Sequence, residues 1–424
     1  MGSTNAMTLL TPTIIAREAL RLLKNNLVMG NLVYRDYEAE FPGSPKKGGT
    51  VTIRKPVKFT VTKARTRSTS VITEQSITMS VATQAHVSWQ FVMTDLTLSV
   101  EEYSERYIRP AAAVLANTVD GDLCALYDDI YNSVHDSTGI VTPATFMVMG
   151  KAMQRLDEEA APPEDRVVVF NPAAHWAMAN ALTSLYMPNV GEKALRKGFL
   201  GTIASADVYM DQNIKVHTTG AFHTTASNCT SGVVETSTGD GSVVTTGSAI
   251  TLVDMRVVTT RAFMAGDIIT VSGVYAVNPM SGESTGALRQ FVVNTLASIL
   301  SVTTATVCTL SITPEMIHTG PYKTIDTLAQ KGAAISILGR PATQYPQNLA
   351  FHKNAFALAM VPLEKPSDGT WGATVTEDGF SIRIVKKYDI DNDEEICRLD
   401  ILYGVKTVYP ELAVRIWGFG NTTG

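Results

Sequence analysis

Seven histidines, four cysteines and one compact acidic run are the residues of this 424-residue chain best suited to hold a metal or carry a reaction. His86, His135, His175, His217, His223, His318 and His352 show no metal-ligand spacing with one another or with Cys124, Cys229, Cys308 and Cys397. A zinc site needs ligands grouped a few residues apart on a turn or helix. The absence of a CxxC pair excludes a zinc ribbon and a thioredoxin-like site. The run DIDNDEE, Asp389 to Glu395, opens like a calcium loop. Its sixth position is Glu394, where the sharp turn requires glycine, and its twelfth is Asp400 instead of a bidentate glutamate. It reads as an acidic solvated turn. His175, between a strand-turn and Trp176, reads as a structural histidine. No GxxxxGKS/T, GxGxxG after a strand, GxSxG or HExxH occurs. The chain is therefore expected to have no catalytic residue, no metal and no cofactor.

Charge is the more informative signal. The chain carries a net charge of -5, which excludes a protein that coats nucleic acid with its whole surface. Between residues 41 and 73 there are eight cations and no anion: Lys46, Lys47, Arg54, Lys55, Lys58, Lys63, Arg65 and Arg67. Asp95, Glu101, Glu102, Glu105, Asp120, Asp122, Asp128 and Asp129 gather around the next helical segment. One reading has the cations grip nucleic acid, with a steep salt dependence. Only Phe59 stands among them as a base-stacking aromatic, against the interleaving such a groove uses. The other reading has them dock on the acidic surface of an identical chain. Self-association is preferred, with Glu101, Glu102, Glu105, Asp120 and Asp122 on the acidic side.

The elements that position these groups follow from periodicity. Hydrophobic residues at 45% and charged residues at 18% give an ordinary core-forming balance. The length suggests roughly two to three domains of about 150 residues. Dispersed cysteines suit a reducing compartment. No apolar run reaches the ~18 residues of a membrane span, and no signal peptide is evident. MGSTNA, residues 1–6, reads as an added tag ahead of a start at Met7. Residues 11–26 form an amphipathic helix with Pro12 at its first position and Ile15, Ala19 and Leu22 on one face. Such a helix is marginal alone and needs a partner surface. Residues 48–93 alternate as a long two-stranded ribbon. In the helix of residues 96–133, Leu115, Val119, Leu123, Leu126 and Ile130 repeat on one face. Pro110 predicts a kink or restart, and Gly121 a weaker break. RVVVFNPAAHWAMANAL predicts a buried strand turning into a helix at Asn171-Pro172. No lysine falls between Lys215 and Lys323, and turn signals there separate short alternating runs. That pattern predicts a small β-barrel or sandwich inserted in its host. Residues 323–360 return to helix and strand, and residues 397–418 form two strands around the Tyr409-Pro410 corner.

Three segments in this order carry a resemblance. GDIITVSGVYAVNP (266–279) followed by STGALRQFVV (284–293), the closing CRLDILYGVKTVYPELAVRIWG (397–418) and, more weakly, RPAAAVLANTVDGDL (109–123) resemble the phage P22 coat-protein family, major capsid proteins of tailed bacteriophages. The resemblance implies an α+β fold of the HK97-like capsid type. It places an N-terminal arm at 7–33, an extended loop at 34–95 and the spine helix of a peripheral domain at 96–140. An axial domain follows at 141–220 and 320–390, interrupted by an inserted all-β domain at 221–319. Residues 391–424 return to the peripheral domain. The implied function is a structural subunit that self-assembles, as hexamers and pentamers, into an icosahedral shell enclosing double-stranded DNA. Implied partners are copies of itself, a separate scaffolding protein and a portal, with DNA weakly contacted and no membrane. The implied location is the virion capsid, assembled in the bacterial host cytoplasm. No lysine–asparagine crosslink is expected. The competing readings are a nucleic-acid-binding module with a basic ribbon and an encapsulin-like nanocompartment shell, the second disfavoured by the insert.

Overall fold

The computed structural model describes residues 12–37, 49–59, 61, 63–67, 74–92, 104–136, 142–183, 200–220, 233–235, 247–255, 263–294, 306–329, 333–365, 371–389 and 394–418. The chain divides into two units, one of residues 1–54, 76–123 and 356–406, the other of residues 55–75, 124–355 and 407–424.

The first unit is built on a five-stranded sheet. Its order is β17 (Phe356–Met360), β20 (Glu394–Thr407), β19 (Phe380–Asp389), β18 (Trp371–Glu377), with β3 (Thr83–Val92) also paired to β20. Strand alternation buries Ile382 and Ile384 on β19 and Leu399, Ile401 and Tyr403 on β20. Helix α1 (Pro12–Asn26) packs on β18 and β19. Its buried stripe is Ile15, Ala19 and Leu23, continued by Leu27 just past its end, with Ala16 and Leu20 beside it. Leu22, expected on that face, is half-buried, because a step of four residues from Ala19 reaches Leu23. The short α2 (Met29–Leu32) follows, and Tyr34 then bridges to Ala357 on β17.

The long ribbon expected over 48–93 does not include β3 (Thr83–Val92). Among the described residues only β1 (Thr50–Arg54) and β2 (Ser76–Ser80) pair with each other; β3 joins the main sheet instead. Gly404 permits that crossing, since a Cβ there would collide with the Ser80 carbonyl oxygen. The spine begins as a π-helical turn, Ser104–Ile108, and restarts as α3 (Arg109–Ala125). Pro110 thus sits in the first turn of α3, directly after the π-helical turn, to whose carbonyls it has no N–H to donate. Gly121 does not break the helix; it is buried and the helix runs on to Ala125.

The host sheet of the second unit has the order β4 (Ser133–Asp136), β21 (Ala413–Gly418), β16 (Asn348–His352), β5 (Arg166–Phe170), β7 (Ala206–Met210), β6 (Thr202–Ile203). Strands β5, β16 and β21 are buried at every residue, Arg166, Asn348, His352 and Arg415 among their apolar side chains included. Helices α4 (Phe146–Glu158) and α5 (Pro172–Thr183) contribute Met149, Met153, Leu156 and Met178 to its core. The turn into α5 is the expected one: Ala174 N–H donates to Asn171 Oδ1 at 2.9 Å, with Pro172 at the first helical position. Strands β20 and β21 are the two strands expected around the Tyr409-Pro410 corner, and they belong to different sheets on either side of it. Strands β18 and β19, placed by sequence in an axial domain, pair with each other and with β20 in the first unit. Among the described residues of 323–360 there is no α-helix, only a 3₁₀ turn at Lys353–Ala355.

The inserted segment forms an antiparallel sheet of two three-stranded halves. One half holds β9 (Val233–Glu235), β10 (Gly247–Met255) and β13 (Thr306–Met316). The other holds β14 (Ile335–Ile337), β11 (Ile268–Val277) and β12 (Ser284–Val293). They are joined by two residue pairs, Val292 with Thr313 and Val293 with Ile312. Both halves feed one core that includes Ile269, Val271, Phe291, Val293, Leu310 and Ile312. That core also takes Ile325, Ala329 and Ile335, so it does not end at the expected residue 319: β14 pairs with β11. Below it, β8 (Val216–Thr218) and β15 (Gln344–Pro346) pair as a neck.

Candidate assembly interface

The basic segment presents most of its described cations to solvent. Arg54, Lys58, Lys63, Arg65 and Arg67 are exposed, while Ile53 and Met79 turn inward and anchor the hairpin. Phe59 and Val61 beside them are 70% and 89% exposed. Lys55 is half-buried, its Nζ 5.1 Å from the Tyr409 ring centroid, in a cation–π contact. Lys46 and Lys47 lie outside the described residues.

The acidic side differs from its sequence reading. Asp120 is 1% exposed. Its two oxygens accept the backbone N–H of Val28 at 2.7 Å and of Gly30 at 2.8 Å. It therefore fastens the N-terminal arm to α3 inside its own subunit and is withdrawn from the proposed intersubunit set. The arm supplies unpaired N–H groups at the start of α2, and a buried carboxylate answers them. Asp122 is half-buried and accepts the Tyr403 hydroxyl at 2.5 Å; burial, then this carboxylate, pushes the Tyr403 hydroxyl up. Glu101 and Glu102 lie outside the described residues, and Glu105 falls in the π-helical turn. Lys24 pairs with Asp378, and the Arg35 guanidinium lies 4.4 Å from the Phe380 ring centroid, adding two further ties on the arm. Asp120→Ala is expected to cost about 1–3 kcal/mol, the desolvation penalty of stranded buried donors. Faster tryptic cleavage after Lys24 in the variant, with Asp120→Asn intermediate, is the result to look for.

Polar groups with no counterpart in the sequence reading join insert to host within the second unit. Arg289 on β12 meets Glu159 at the end of α4, Nη1 to Oε1 2.5 Å, and both side chains are buried, at 4% and 6% exposure. The guanidinium also lies 4.5 Å from the Tyr131 ring centroid. Burial pushes the Glu159 carboxyl up while the Arg289 charge pulls it back. The neighbouring Gln290 bonds Ser133 twice: Oε1 accepts its N–H at 2.7 Å and Nε2 donates to its carbonyl at 3.0 Å. Arg415 on β21 is buried and donates to the Gly266 carbonyl at 2.8 Å; burial lowers it to about 10. His217 in the neck holds Asp267, Nε2 to Oδ1 2.9 Å, and Asp267 accepts the N–H of Met264 at 2.7 Å. Gly266 has φ +91°, and a Cβ there would lie 2.5 Å from Asp128 Oδ1, so glycine is required on both grounds.

Two histidines of the host sheet set a pH dependence. Burial lowers His135 on β4, with Lys151 adding to it, and burial lowers His352 on β16. Both folded-state values lie below the ordinary 6.5, so the unfolded chain binds more protons below that pH. Their contribution is whole above pH 6.5 and is lost as pH falls through the folded-state values. Melting temperature should fall from neutral pH to mild acid, and a His135→Gln/His352→Gln variant should show a flatter slope. An unchanged slope contradicts the assignment.

Among the described residues no group of three His, Cys, Asp or Glu is placed to hold a metal ion. Residues 390–393 of the acidic turn lie outside them. No described helix is long and apolar enough to cross a membrane. The family model for "P22 coat protein - gene protein 5" matches residues 3–418. The chain belongs to the P22 coat protein family. Membership makes it a structural, shell-forming coat subunit that associates with copies of itself in a virion capsid, and not an enzyme. The major capsid protein of Acyrthosiphon pisum secondary endosymbiont phage 1 is 31% identical over 97 residues, and this match spans 23% of each protein. Similar solved structures include that of Mycobacterium phage Che8, with a TM-score of 0.47 and 16% identity over 92% of this chain and 90% of that one. The capsid of Ralstonia phage GP4 gives 0.42 and 8% over 93% and 88%. The class of the P22 family member described here is α+β, as expected from its sequence, with helices packed on separate sheets.

Proposed function

We propose that this P22-family coat protein is the repeating subunit of an HK97-type icosahedral shell of a tailed phage or prophage, built from hexamers and pentamers around double-stranded DNA. The observation that carries the reading is the family match over residues 3–418. The basic segment supports how subunits join: Arg54, Lys58, Lys63, Arg65 and Arg67 stand exposed on a chain of net charge -5. They dock on acidic groups of a neighbouring subunit. With Asp120 and Asp122 engaged internally, Glu101, Glu102 and Glu105 remain for that role. A separate scaffolding protein and a portal take part in assembly, which proceeds in the host cytoplasm. The shell wall contacts DNA weakly, because a packaged genome must enter and leave. Filter binding at 150 mM salt tests it, approximately physiological ionic strength. Weak, sequence-independent binding that vanishes there is expected. Sequence-selective, tight binding at that salt would overturn the shell-wall reading and favour a nucleic-acid module.

A further inference from the structure

The open edge of the host sheet is met by a side chain of the insert. Strand β4 is at one end of the sheet order and pairs in parallel with β21 alone among the described strands. In a parallel strand the N–H and C=O of one residue point to the same side, and successive residues alternate. The Arg415 N–H takes the Asn132 carbonyl at 2.9 Å, so the N–H and C=O of Ser133 face away from β21. There the Gln290 amide meets both, as acceptor at 2.7 Å and as donor at 3.0 Å. A carboxamide has the same donor and acceptor pair as a peptide group, so Gln290 acts as a one-residue strand. Ser133 and Gln290 are both buried, and Arg289 beside Gln290 is held by Glu159.

An exposed strand edge invites pairing with another chain, and folded proteins block such edges with charge, proline or a covering element. We propose that the inserted domain guards the host sheet: Gln290 caps β4 at Ser133 and denies that edge to a strand from a second copy of the chain. The guard is separate from shell assembly, which uses other surfaces, and its loss produces β-aggregate in place of shells. The insert thereby acts in cis on its host's solubility as well as on its stability.

The test uses the full chain. In the wild type, the Ser133 amide should exchange with solvent as slowly as the interior amide of Val414; fast exchange overturns the cap without recourse to any variant. Gln290→Ala should speed Ser133 exchange by about tenfold or more, the effect of one lost buried hydrogen bond. It should also yield thioflavin-reactive aggregate that sediments apart from shells. Gln290→Ala/Ser133→Pro removes the uncapped N–H and should suppress that aggregate. Equal aggregation of the single and double variants means general misfolding and contradicts edge guarding. So does a Gln290→Ala protein whose Ser133 amide is open yet which stays free of aggregate.

Discussion

Arg289→Ala is expected to lower the unfolding free energy by about 3–5 kcal/mol, the range for removing one partner of a buried ion pair. Glu159 would be left in a site where its side chain is 6% exposed, with only the weaker influence of Arg155 as counter-charge. Burial already pushes this carboxyl up, and removing Arg289 takes away the main charge that pulls it down. The loss should therefore shrink in acid, where Glu159 takes up a proton in the folded variant before it does so in the unfolded chain. Arg289→Met combined with Glu159→Leu should recover most of the stability, because two apolar groups carry no desolvation penalty. Urea denaturation of the single and double variants decides it. A single variant within about 1 kcal/mol of wild type contradicts the coupling of insert to host.

Shell formation should fail when the exposed cations are reversed. Lys58→Glu, Lys63→Glu and Arg65→Glu together are expected to lower particle yield more than tenfold while melting stays within about 0.5 kcal/mol of wild type. All three side chains are exposed on the subunit, so the fold has little to lose. Lys55 is kept, since it covers the Tyr409 ring. A single exposed ion pair contributes only ~0–1 kcal/mol, but every subunit repeats it and reversal adds repulsion. Light scattering during assembly reports the outcome, and normal yield at low and high salt contradicts the docking.

What the sequence disclosed and what it hid divide along the range of the interaction. The start of α1, the restart at Pro110 and the Asn171-Pro172 turn depend on neighbours within a few residues, and they were legible. Alternation identified β3 and β20 as strands but carries no information on which strand lies beside which. Hence the sequence puts β3 in the ribbon, where the structure pairs it with β20, and it does not tell that β20 and β21 join different sheets. Asp120 was misread for the same reason: its partners lie at Val28 and Gly30, about 90 residues away, and a helix carboxylate looks alike in sequence whether it meets solvent or a buried N–H. Arg289 and Gln290 pass for solvent-facing polar residues in the alternating STGALRQFVV. Yet the segments that carried the resemblance supply these fasteners: Asp120, Gly266, Asp267, Arg289, Gln290, Gly404 and Arg415.

Negative-stain electron microscopy of the purified full-length chain, across a concentration series, tests most directly whether it is a shell subunit. Rings, sheets or closed particles of repeating hexamers and pentamers are the predicted result. Single subunits at every concentration and salt, with or without a scaffolding protein, contradict it.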